Sequence, residues 1–179
     1  MLSFNTGFSQ ADAQTSVSSV FKINFFMPGV SYEQKITNNQ TIHLAAFMDA
    51  AFLSQTTNDH TEFKVLFAPS CSVAFRNYYN IKKRYQKGFN TASNSANYFA
   101  PVYMGRYPLS DEFTDHEWVN QIGAIWGLQR TGSKGFSLDL SLGAAYTFEN
   151  PDLSYYNPIE PIIQIAIGYK LGHKAVNLY

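Results

Sequence analysis

Apolar and polar positions alternate without a break from 136 to 148. Phe136, Leu138, Leu140, Leu142, Ala144, Tyr146 and Phe148 interleave with Ser137, Asp139, Ser141, Gly143, Ala145 and Thr147. A period of two marks a β-strand, because successive side chains leave opposite faces of the pleat. The run is thirteen residues long, against roughly 5–6 for an ordinary strand. A strand tilted by about 45° needs about 9–11 residues to cross a bilayer, so this one is long enough.

The same alternation, read along the chain, predicts seven further strands. Strand one is Val20–Phe26, with Lys22 and Asn24 on its polar face, and Met27-Pro28-Gly29 turns the chain. Strand two, Val30–Ile36, carries Glu33 and Lys35; Thr37–Gln40 is an asparagine-rich turn. Strand three, Thr41–Ser54, places His43 and Asp49 on the polar face, where Phe47 breaks the pattern. Gln55–Thr61 reads as a polar loop. Strand four, Phe63–Tyr79, sets Lys64, Ser70, Ser72 and Arg76 opposite an apolar face, and Pro69 suggests a bulge. Strand five, Tyr98–Leu109, fits either face and contains Pro101. The acidic loop Ser110–Glu117 leads to strand six, Trp118–Arg130, and a tight turn at Gly132–Gly135 leads to strand seven. After the proline-rich loop Asn150–Pro161, strand eight is Ile162–Leu171, with Gln164 and Lys170 on its polar face.

Eight strands without a convincing core helix predict an all-β fold: an eight-stranded antiparallel up-and-down transmembrane β-barrel spanning 20–172. Residues 1–19 read as a truncated signal-peptide tail and a loose N-terminus, with maturation near Ala11. A disordered N-terminus explains Met1–Gln10 equally well. Residues 173–179 form a tail. Closure suits a bilayer because it removes unpaired strand edges.

Composition narrows the picture. The 179 residues have zero formal net charge, so no global field points to nucleic acid. Charged residues are 15%, below the roughly 25% of soluble domains. No run approaches the ~18 apolar residues of a membrane helix. The lone Cys71 has no partner for an internal disulfide and reads as an apolar outer-face residue.

The alternation fits two barrels of opposite polarity, and volume separates them. The bore of eight strands holds only modest side chains or one small ligand, so the bulky apolar set is expected outside. The polar set expected inside is Lys22, Glu33, Lys35, Asp49, Lys64, Arg76, Asp139, Glu149, Gln164 and Lys170, whose mixed charges can pair. Trp118, Trp126, Tyr146, Phe148 and Tyr169 read as membrane-interface aromatics. One end gathers acids, including Asp111, Glu112, Asp115, Glu117, Asp152 and Glu160. The other gathers bases, including Lys82, Lys83, Arg84, Lys87, Arg130 and Lys134. With short turns at the basic end, that end is expected to be periplasmic. The long connection Asn80–Asn97 is expected to be a solvated basic turn, although Ile81, Tyr85 and Phe89 at four-residue spacing also fit a brief amphipathic helix.

Lys22-Ile23-Asn24, Val30-Ser31-Tyr32-Glu33, Tyr78–Arg84, Asn94–Tyr98 and the closing Ile165–Leu171 resemble the small outer-membrane β-barrel proteins of Bacteroidota, and more loosely the OmpA and OmpX barrels. The resemblance implies a location in the cell outer membrane, contact with outer-membrane lipid and lipopolysaccharide, and assembly by the barrel insertion machinery. It supplies no catalytic motif.

Candidate chemistry is sparse. His43, His60, His116 and His173 lack metal-ligand spacing. A Ser-His-Asp site from Ser110, Asp111, Asp115, His60 and His116 is conceivable but lacks a GxSxG elbow. The external acids could take a divalent cation, but no ligand spacing repeats. The expectation is therefore no enzyme, no catalytic residue, no metal and no cofactor. The expected role is structural or interactive in the envelope, with a mostly filled lumen. The alternatives are a narrow channel for water or small ions, or a soluble lipocalin-like barrel for an apolar ligand.

Overall fold

The computed structural model describes residues 15–57, 60–107, 118–148 and 158–171, and the side chains among them except those of 50–66. Eight antiparallel strands close into one ring, each paired with its neighbours in sequence and β1 with β8. They are β1 Val20–Phe26, β2 Gly29–Lys35, β3 Gln40–Thr57, β4 His60–Asn77, β5 Asn97–Arg106, β6 Val119–Thr131, β7 Phe136–Phe148 and β8 Ile159–Leu171. A short helix, α1 Ile81–Gln86, and a single 3-10 turn, Ala92–Asn94, lie between β4 and β5.

Alternation assigns the two faces. Phe25 and Ile163 are 61% and 70% exposed on the outer wall, while Lys22 and Glu33, on the other face, are 3% and 0% exposed. Bulky apolar side chains therefore coat the outside, and small, polar and charged ones crowd the inside. The inside is not wholly polar. Tyr98, Val102, Met104, Ile125 and Ile162 form a buried apolar sector with Ala145. This resolves β5, whose sequence fitted either face: Tyr98, Ala100, Val102 and Met104 point in, and Phe99, Pro101 and Tyr103 point out. Phe47 also points in, opposite Gly29 in the β2–β3 ladder. A Cβ at Gly29 would collide with the Ala46 and Phe47 backbone and with Phe47 Cβ, so the glycine lets β2 and β3 approach closely at this pair.

The β3–β4 hairpin runs further than the alternation predicted. Residues 55–57 and 60–61, expected in a loop, continue the β3–β4 ladder down to Thr57↔His60. β4 pairs with β5 only from Ser70 to Asn77, so nine pairs, Asp49↔Ala68 to Thr57↔His60, continue as a two-stranded ribbon past the ring. By contrast β1 and β2 have seven residues each, while β6, β7 and β8 have thirteen. At about 3.3 Å per residue and a 45° tilt, thirteen residues rise about 30 Å and seven about 16 Å. The wall is therefore low at the β1–β2 turn.

Candidate functional site

Residues from β1, β3, the end of β4 and the 3-10 turn converge on Glu33 near the end of the ring where the chain enters β1. Glu33 accepts from Lys22 Nζ at 3.2 Å, Thr41 Oγ1 at 3.3 Å, Tyr78 Oη at 2.8 Å and Asn94 Nδ2 at 2.8 Å. Arg76 Nη1 lies 3.5 Å from Glu33 Oε1, 2.7 Å from Asp139 Oδ2 and 2.9 Å from Gln129 Oε1. Tyr98 donates to Asp139 Oδ1 at 2.7 Å. The Arg76 guanidinium stands 4.2 Å above the Tyr98 ring, a cation–π geometry. Two cations and two carboxylates thus cancel inside a shell of neutral donors. A buried carboxylate needs such a shell, because its lone pairs have no water to meet.

Gly127 permits this arrangement. It faces Tyr98 in the β5–β6 ladder, and a side chain there would overlap the Tyr98 ring. The missing Cβ lets the ring lie flat against β6 and reach Asp139.

The β4–β5 connection closes this end. It is not the solvated turn expected: Ile81, Thr91, Ser93, Asn94, Ser95 and Ala96 are buried. Asn94 inserts as a latch. Its Oδ1 accepts from Ser18 N at 2.7 Å, and its Nδ2 donates to Ser18 O at 2.9 Å as well as to Glu33. Ser93 and Asn94 hold positive φ, a region that asparagine visits more readily than most residues. Gln129 Nε2 donates to Ser93 O, Thr131 N to Ser95 Oγ, and Arg84 Nε to Ser95 O. The helix that the spacing of Ile81, Tyr85 and Phe89 allowed does form, with Ile81 buried and Tyr85 and Phe89 exposed.

Of the polar set named from sequence, Lys22, Glu33, Arg76 and Asp139 meet in this network. Lys35 is half-buried at the capped rim and donates to Ser16 Oγ at 3.3 Å. Asp49 pairs with Arg106 at 2.8 Å near the other rim, away from the network. Gln164 lines the bore beside Ser141 (3.3 Å) and Met104 Sδ (3.5 Å). Lys170 sits half-exposed near the capped end, where its backbone N donates to Gly135 O. The Lys64 side chain and Glu149 lie outside the described residues, as do the acidic loop 110–117, the His60 side chain, His116 and His173. Tyr78, Asn94 and Gln129 were not among the interior residues named from sequence. Only three-dimensional closure brings them to Glu33, across separations of 45, 61 and, through Arg76, 53 residues.

The aromatics named from sequence stand on the outer wall. Trp118 is exposed and packs against Tyr107, and Tyr146 and Phe148 meet edge to face. Trp126 donates through Nε1 to Tyr79 Oη at 2.9 Å. Tyr169 is exposed opposite Phe136 and lies over Gly135.

Between the network and the low wall lies a cavity of about 50 Å³, lined in part by Lys22, Ser31, His43, Ser72, Asp139 and Gln164. No group of three or more His, Cys, Asp or Glu placed to hold a metal ion occurs among the described residues. No helix there is long and apolar enough to cross a membrane. No protein-family model, curated protein or solved structure matches this chain.

Proposed function

We propose that this chain is an up-and-down β-barrel of the bacterial outer membrane, with a filled bore, no catalytic role, and a structural or interaction function in the envelope. The observation that carries this is the inverted polarity of the ring. Apolar side chains such as Ile163 and Phe25 stand exposed, while Lys22, Glu33 and Arg76 are buried. In water such a wall would be a large apolar patch; in lipid it is the expected surface. Strands β6 to β8 are long enough, at about 30 Å of height, to cross a hydrocarbon core. A soluble barrel carrying an apolar ligand would need the opposite arrangement.

The acid-free basic connection, with Lys82, Lys83 and Lys87 exposed, is assigned to the periplasm, and the β3–β4 ribbon to the cell exterior. Outer-membrane lipid and lipopolysaccharide are then the surroundings, and the insertion machinery the assembly partner. A channel for water or small ions would share the same wall, but the latched connection and the ion network oppose it. Two measurements test the proposal. The chain should stay with membranes through alkaline carbonate extraction, and in planar bilayers it should carry no steady current. Release into solution without detergent would overturn the membrane assignment; a sustained single-channel current would replace the filled bore with a channel.

A further inference from the structure

The short β1–β2 hairpin leaves a notch in the ring. β8 pairs with β1 only from Ile167 to Leu171, and no described strand pairs with the other edge of Glu160–Ala166. β3 pairs with β2 only up to Phe47, and no described strand pairs with the matching edge of Ala50–Thr57. These edges are separated by the two missing strands, about 14 Å at three inter-strand spacings. β8 runs eight residues, Ile159–Ala166, past its last pair with β1, about 19 Å of height for a tilted strand. Backbone edges at membrane depth are tolerated where they line a water-filled cavity.

Such a cavity lies directly behind the notch. Met27, Phe47 and Ala166 in its lining stand level with the β1–β2 turn, the side on which the notch opens, and its polar lining includes Lys22, His43 and Gln164. Its charges are already balanced, since Lys22 and Arg76 face Glu33 and Asp139. A charged guest would upset that balance in a site with little water. Hydrogen-bonding capacity is nevertheless spare. His43 and Arg76 line the cavity, and Arg76 Nε is buried without a hydrogen-bond partner, while Gln164 Nε2 reaches only the weak acceptor Met104 Sδ. The volume of about 50 Å³ has room for a few waters at about 10–15 Å³ each, and with its charges already paired it suits a hydroxyl or amide.

Resting on the membrane reading above, we infer that the notch is a lateral doorway. Through it a single-chain amphiphile with a small uncharged headgroup reaches the cavity from the outer leaflet. The headgroup meets His43 and Gln164, the first methylenes pass Met27 and Phe47, and the tail stays in lipid.

The test is photolabelling of the full chain in lipid nanodiscs. The probe is a dodecanol carrying a diazirine near its hydroxyl end, and labelled peptides are mapped by mass spectrometry. Adducts should concentrate on the segments holding Met27, Phe47 and Ala166. Excess 1-dodecanol should suppress them roughly tenfold, as for competition at one site, and dodecyltrimethylammonium should not. Ala166→Trp, which fills the notch side of the cavity, should remove these adducts and leave those on the outer wall at Leu142 and Ile163. If these segments label no more densely than the wall, or the ammonium competes as well as the alcohol, the doorway is wrong. Should Ala166→Trp not fold, the competition on the unmodified chain decides alone. Absence of adducts on the wall as well would overturn the membrane reading itself, so the two failures are distinguishable.

Discussion

Glu33→Gln is the sharpest perturbation of the interior. Glu33 is fully buried and serves five partners: Lys22, Arg76, Thr41, Tyr78 and Asn94. Neutralising it leaves Lys22 with no ion-pair partner among the described residues, because Arg76 keeps Asp139 at 2.7 Å but Lys22 has only Glu33. Removing one member of a buried pair costs about 3–5 kcal/mol, mostly for the charge left behind. Lys22→Met strands less. Glu33 would retain Arg76 and three neutral donors, so the loss is that of one charged hydrogen bond, about 1.5–3 kcal/mol. The double variant should cost less than the sum of the singles, since neither change then strands the other charge. Denaturant titration of the full chain in lipid vesicles, followed by tryptophan fluorescence, measures all three. If Lys22→Met costs as much as Glu33→Gln, or both fall below about 0.5 kcal/mol, Glu33 is not the hub described.

Asn94→Ala removes both Ser18 bonds and one Glu33 bond. Amide exchange across 91–96 should accelerate by roughly tenfold or more while the β6–β7 ladder stays protected; uniform exchange throughout would show that the latch and the ring open together. Gly127→Ala forces a Cβ into the Tyr98 ring and should cost about 1–3 kcal/mol in the same titration, with Tyr98→Phe in the same background failing to restore the loss. Leu142→Arg, on the outer wall opposite Trp126 and Ile163, should cost about 2–4 kcal/mol in bilayers, and a neutral result there would argue against lipid contact.

The legible part of this fold was the part governed by alternation. β7 was read residue for residue, and Lys22, Glu33, Arg76 and Asp139 could be placed on one face because a strand has only two. β5 was not legible. Its inner face carries Tyr98, Val102 and Met104, and its outer face Phe99 and Tyr103, so hydrophobicity does not separate them. The loop expected at 55–61 was polar in composition, yet its backbone pairs on as a ribbon; polarity reports solvent contact and not the absence of hydrogen-bonded neighbours. The cap was missed for a related reason. Asn94, Ser95 and Thr91 look like solvated loop residues, but each is buried, and their polarity supplies hydrogen bonds to the interior. The low wall needed the register, since a seven-residue strand looks unremarkable until its thirteen-residue neighbour β8 is set beside it.

The inverted polarity is tested most directly by spin-labelling β8 one position at a time, from 162 to 169, in lipid bilayers. Accessibility to dissolved oxygen, which concentrates in lipid, should peak at 163, 165, 167 and 169 and fall at 162, 164, 166 and 168. The reverse phase, or high accessibility to a water-soluble nickel reagent at 163 and 165, would contradict a lipid-facing apolar wall.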